Sequence, residues 1–140
     1  MRSGWAAPLG ASAHSVEELG LAARPPAGLE WAFLSPVFQP ASKPLDTRPH
    51  LGEECLLRAQ RTHPSLRVYV LGGIHPSAAT RLAAGGAGGI AVLGGVFRDG
   101  AATTPEHAAD AAREFLGALE RGDRARDGAS EATACSGTHG

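Results

Sequence analysis

A parallel α/β fold of four consecutive βα units is predicted by three features of this chain. Short apolar runs beginning near Leu9, Glu30, Val68 and Ile90 are each followed by a segment whose apolar residues recur at helical spacing. The runs at 68–71 and 90–93 are apolar throughout and rich in β-branched residues, the pattern of parallel strands buried on two faces. Each of these two runs is closed by a glycine pair, Gly72-Gly73 and Gly94-Gly95. The missing Cβ there lets backbone N–H groups come close to a ligand, and two such turns side by side form a natural phosphate cradle.

The elements follow in order. Residues 8–14 (PLGASAH) make a short strand of small residues, and Ser15 with Glu18 three positions on forms a capping box for a helix reaching about Arg24. Val16, Leu19 and Ala23 share its inner face. Pro25-Pro26-Ala27-Gly28 breaks that helix, and residues 29–34 (LEWAFL) form the second strand, ending at Ser35-Pro36. The stretch 39–49 (QPASKPLDTRP) is proline-rich and longer than a usual connection, which marks a functional loop at the carboxyl end of a strand. A helix over 51–63 turns Leu51, Cys55, Leu56 and Ala59 inward and stops at Pro64. The third strand leads to a helix that starts at Pro76, carries Ala78, Ala79, Leu82 and Ala83 inward, and stops at Gly85-Gly86. After the fourth strand, Thr104-Pro105 caps a helix with Ala108, Ala112, Phe115, Leu116 and Leu119 at helical spacing. From Gly122 on the sequence is polar and rich in Gly, Ser and Ala, so residues 1–121 are expected to fold and 122–140 to form a disordered tail.

Composition narrows the function. With 140 residues, 43% hydrophobic and 19% charged, the chain can bury one core, but a closed eight-stranded α/β barrel needs roughly 200 residues or more. Thirteen basic and fourteen acidic residues are scattered, for a formal charge of −1, which speaks against nucleic acid as a partner. No apolar run approaches the ~20 residues of a membrane span and the first nine residues lack a signal-peptide core, so a cytoplasmic protein without membrane contact is expected. Cys55 and Cys135 are too far apart in character and sequence to suggest a disulfide framework or zinc, and Cys55 is read as a packing residue. His50, His63, His75 and His107 show no ligand-like spacing, His139 lies in the tail, and no metal site is assigned to these residues.

Four motifs in succession closely resemble the thiamine phosphate synthases and their TenI-like thiazole tautomerase relatives. They are Gly10-Ala11-Ser12-Ala13-His14-Ser15, Ser35-Pro36-Val37-Phe38 with Ser42-Lys43-Pro44, Gly72-Gly73-Ile74, and the run from Gly89 through Leu93 and Gly94-Gly95 to Phe97. The resemblance covers residues 8–119 and corresponds to strands five to eight of the family's (β/α)8 barrel, so it implies half of a TIM barrel. It also implies a reaction. The C–O bond of a hydroxymethylpyrimidine diphosphate breaks, diphosphate departs with the electron pair, and the lone pair of a thiazole phosphate nitrogen captures the pyrimidine cation, giving thiamine phosphate. By the same resemblance Lys43 contacts the leaving diphosphate, where a fixed cation counters developing charge, and Ser12 hydrogen-bonds it. Ser42 and the backbone N–H groups of Gly73, Leu93 and Gly94 hold the thiazole phosphate. His14 corresponds to the proton-transfer residue of the tautomerases. The family's Mg²⁺ is expected as cofactor, but its carboxylate ligands lie in the family's first half and have no counterpart here.

Three functions from different classes follow: the phosphate-binding side of a synthase-like barrel, active only with a first half; a TenI-like tautomerase using His14; and a non-catalytic binder of thiazole or thiamine phosphate. The synthase-like reading leads, with small-molecule substrates as partners. An exposed inner face and two unpaired strand edges would make either self-association or a complementary half-barrel necessary.

Overall fold

The computed structural model describes residues 9–23, 29–40, 45, 47, 49–97 and 103–135, of which 131–135 as backbone only. Four strands, β1 (Gly10–Ala13), β2 (Trp31–Leu34), β3 (Arg67–Leu71) and β4 (Gly89–Ala91), alternate with four helices, α1 (Val16–Ala22), α2 (Gly52–Thr62), α3 (Pro76–Ala84) and α4 (Pro105–Cys135). The sheet is wholly parallel in the order β1-β2-β3-β4, with Gly10 beside Trp31, Trp31 beside Arg67 and Tyr69 beside Gly89. Sequential parallel strands joined through helices are the half-barrel arrangement expected from the sequence.

Local sequence explains where the helices begin and end. Ser15 is the N-cap of α1: its Oγ accepts from Glu18 N–H at 3.0 Å, while the Glu18 carboxylate accepts from the backbone N–H of His14 at 2.7 Å. This is a capping box whose return bond lands one residue early. Helix α3 starts on Pro76 and closes with the paired bonds Gly86 N–H to Ala83 and Ala87 N–H to Leu82, a Schellman ending across the Gly85-Gly86 pair. Thr104 caps α4 by accepting from His107 N–H.

Because side chains alternate across a strand, one face of the sheet carries Ala13, Ala32, Leu34, Val68 and Val70, all 0% exposed. They pack with Val16, Leu19, Leu56, Ala79, Leu82, Phe115 and Ala118 from the helices into a single core. Cys55 is buried within it. Surface ion pairs stitch neighbouring helices: Arg58 to Glu17 at 3.0 Å between α2 and α1, and Arg81 to both carboxylate oxygens of Glu53 between α3 and α2.

Two expectations are corrected. The strands at 68–71 and 90–93 are not buried on two faces: Val68 and Val70 are fully covered, whereas Tyr69, Leu71, Gly89 and Ala91, on the face where no described element packs, are half-buried, as is Ile90 at the margin of the core. The second concerns the segment from Gly122, expected as a disordered tail. It continues α4 to Cys135, and residues 136–140 lie outside the described residues. The reason is close packing of α4 on α3. Gly122 is buried where a Cβ would collide with the Thr80 carbonyl and the Ala83 side chain, and one turn on, the Arg126 guanidinium donates to the Ala83 carbonyl at the end of α3.

Candidate functional site

All four strands point their carboxyl ends to the same rim, and the rim gathers most of the residues that sequence reasoning singled out. Ser12 is exposed on β1, on the face away from the helices and in register with Phe33. His14 follows β1 directly, and its Nδ1 lies 2.7 Å from the carbonyl oxygen of Ser35, just beyond β2. A carbonyl can only accept, so in the neutral ring Nδ1 carries the proton and Nε2 keeps the lone pair. Exposed as it is, His14 can present that lone pair to a ligand at the rim.

Residues 36–39, after β2, lie directly on the end of β3. Val37 N–H donates to Leu71 and Phe38 N–H to Gly72, both at 3.0 Å, while Pro36 and Val37 carbonyls accept from Leu51 and Gly52 at the start of α2. Gly72 and Gly73 have φ of 102° and 59°, a region that favours glycine. A Cβ on Gly72 would stand 2.8 Å from Pro36 Cβ, and one on Gly73 would strike the Gln39 carbonyl. This pair therefore has a structural duty of its own: it lets the β2–α2 loop close over the end of β3. The Gln39 side-chain oxygen in turn accepts from His50 Nε2, pinning the two ends of that loop together.

The second glycine pair differs. Leu93 accepts from Val96 and Phe97 N–H, making one helical turn whose opening N–H groups belong to Leu93, Gly94 and Gly95. A Cβ on Gly94 would meet nothing within 4 Å, whereas one on Gly95 would press on the Phe115 ring and come 3.5 Å from the Ile74 carbonyl. Gly94 is thus open to a ligand, and Gly95 seats the turn between α4 and the loop after β3. The second glycine turn thus lies beside the loop that follows Gly72-Gly73, with Gly95 close to the Ile74 carbonyl. Ser42 and Lys43 lie outside the described residues, in the loop that Gln39 and His50 flank.

The ties of His14 to Ser35 and of Gln39 to His50 were not foreseen. The first pairs a side chain with a backbone carbonyl 21 residues away, and no residue pattern announces such a bond. His50 sits in an irregular stretch where spacing carries no information.

In the first turn of α1 the backbone N–H of Glu17 holds its own carboxyl below the ordinary value, helped by Arg58, and in the core burial pushes the Cys55 thiol up. Among the described residues no group of three or more His, Cys, Asp or Glu could hold a metal ion. Two recesses among the described residues lie away from the rim glycines. One, of about 280 Å³, is lined by Gln60, Arg67, Gly88 and Arg126 at the amino ends of β3 and β4; the other, about 250 Å³, lies among Trp31, Phe33 and Tyr69 on the open sheet face.

A four-stranded parallel half-barrel with its glycine turns gathered on the carboxyl rim is the class of structure that the fold and site define. The family model for thiamine monophosphate synthase matches residues 3–96, and the chain belongs to that family. Among solved structures, thiamine phosphate pyrophosphorylase from Pyrococcus furiosus superposes with a TM-score of 0.58 at 24% identity, covering 79% of this chain and 49% of that one. A structure described as native KDPGal superposes with a TM-score of 0.62 at 16% identity, covering 84% of this chain and 50% of that one. These likenesses establish the barrel-type fold, and the chain spans about half the length of either structure. No curated protein matches the chain. No helix among the described residues is long and apolar enough to cross a membrane.

Proposed function

We propose that this chain supplies the phosphate-binding side of a thiamine phosphate synthase-type site, at which a pyrimidine diphosphate and a thiazole phosphate are joined with release of diphosphate. The observation that carries the reading is the coincidence of the family match over residues 3–96 with the gathering of Ser12, His14, Gly73, Leu93 and Gly94 on one rim. In this reading the N–H groups of Leu93 and Gly94, at the start of a helical turn, bind the thiazole phosphate together with Gly73 N–H and the Ser42 hydroxyl. Lys43 and Ser12 face the departing diphosphate, where a fixed positive charge and a hydroxyl donor count most as negative charge develops. The residues that flank the Lys43 loop are tied down, 37–38 by their bonds to the end of β3 and Gln39 by its bond to His50.

His14 supports a second reading. Its Nδ1 is committed to Ser35, leaving Nε2 as a proton acceptor at the rim, which is what a TenI-like tautomerase would use. Binding of a thiazole phosphate without chemistry would use the same cradle.

The test is Lys43→Ala in an assembly that supplies eight strands, read by diphosphate release and by binding of thiazole phosphate. The expected result is loss of coupling with thiazole phosphate affinity largely kept. Wild-type turnover in the variant would remove Lys43 from the reaction. Loss of thiazole phosphate binding alone would move it to the other phosphate.

A further inference from the structure

We propose that Glu18 is a positioning residue for the His14 imidazole, holding it so that Nδ1 keeps its proton and Nε2 serves the rim as an acceptor. The inference deepens the second reading above and rests on it, since a fixed Nε2 lone pair matters only if His14 moves a proton.

His14 lies in the turn between β1 and α1, is exposed, and is held at three points. Its ring meets the Ser35 carbonyl through Nδ1 at 2.7 Å, and its backbone N–H donates to the Glu18 carboxylate, also at 2.7 Å. The carbonyl of the same Ala13–His14 peptide accepts from Ser35 N–H at 3.1 Å. That peptide is therefore anchored at both ends, by Ser35 on one side and by Glu18 on the other. Ser35, 8% exposed at the end of β2, is a fixed post, and the bond to it decides which ring nitrogen carries the proton. The bond to Glu18 decides where the ring starts from. Without it the peptide can rock about its remaining anchor, and the Nδ1 bond alone must then offset the entropy of a looser turn.

Capping of α1 does not account for the Glu18 bond. In the usual box the acidic side chain returns to the N–H of the cap residue, here Ser15, whereas Glu18 reaches the residue before it. The positive end of the helix favours an acid anywhere in the first turn and does not select the His14 N–H. Its neighbour Glu17 turns instead to Arg58 of α2 at 3.0 Å. Of the two acids that open α1, one ties the helix to α2 and the other holds the histidine.

The ratio of the two imidazole tautomers, read from the ring nitrogen resonances of His14 in the 140-residue chain with the ring neutral, tests the proposal. The Nδ1–H form is expected to prevail in the wild type. Glu18→Ala should lower its ratio to the Nε2–H form about threefold or more, the scale of weakening one hydrogen bond. Glu18→Gln keeps an oxygen acceptor and should hold the ratio within about twofold of wild type. Ser15→Ala is the control for helix stability: it removes the acceptor of Glu18 N–H, weakens α1, and should leave the ratio within about twofold of wild type. A wild-type ring protonated on Nε2, an unchanged ratio in Glu18→Ala, or an equal fall in Ser15→Ala would overturn the proposal. The reading beneath it is measured apart. Deuterium uptake by thiazole phosphate that persists undiminished in His14→Gln would remove His14 from proton transfer, and the role of Glu18 with it, whatever the tautomer ratios.

Discussion

Glycines at the rim are not equivalent. Gly73 is held at φ 59° against the Gln39 carbonyl, whereas Gly94 faces open space. Gly73→Val is therefore expected to destabilise the chain by about 2 kcal/mol or more, combining left-handed backbone with a collision, and the loss would appear in a denaturant melt. Gly94→Val should leave the melt within about 0.5 kcal/mol of wild type while weakening thiazole phosphate binding about tenfold or more, measured by calorimetric titration. Both glycine pairs were legible as turns in the sequence. That one is needed for packing and one of the other's members is free was not, because the distinction depends on which backbone lies opposite. Cys55 makes a separate prediction. Burial raises its folded pKa above the ordinary thiol value, so the unfolded state loses its proton first as pH rises. Its contribution is fully present below the unfolded pKa of about 9 and falls as pH climbs through the folded value. Stability measured from pH 8 to 11 should decline by at most ~1.4 kcal/mol per pH unit from this group, and Cys55→Ala, though less stable overall, should lose that component of the slope.

Helix ends were the most readable elements, since capping chemistry is local. Ser15, Pro76, the Gly85-Gly86 pair and Thr104-Pro105 all act where the sequence placed them. Ser15→Ala should cost about 1 kcal/mol, read as a shift in the unfolding midpoint. The far half of α4 was misread because glycine and small polar residues have poor intrinsic helicity, and composition does not show that Gly122 is small in order to admit α3. Gly122→Leu should therefore destabilise by about 1–3 kcal/mol through overpacking, although leucine is the better helix former. A stability gain would show that α4 does not rest on α3 there.

For the whole molecule, the regular βα rhythm announced the parallel sheet, and the order of the four motifs announced the family. Neither could show that the aromatic rings of β2 and β3 line an open face, because a strand's two faces are told apart only by what packs on each. The rim is where the functional account stands or falls. Titrating the chain with the thiazole phosphate and, separately, with the same thiazole lacking phosphate, while following backbone amide resonances, tests it most directly. Phosphate ester binding at least about tenfold tighter than the alcohol is predicted, with the largest shifts at Gly73, Leu93 and Gly94. Equal affinity for the two ligands, or shifts centred instead on Arg67, Gly88 and Arg126 at the opposite end of the strands, would contradict it.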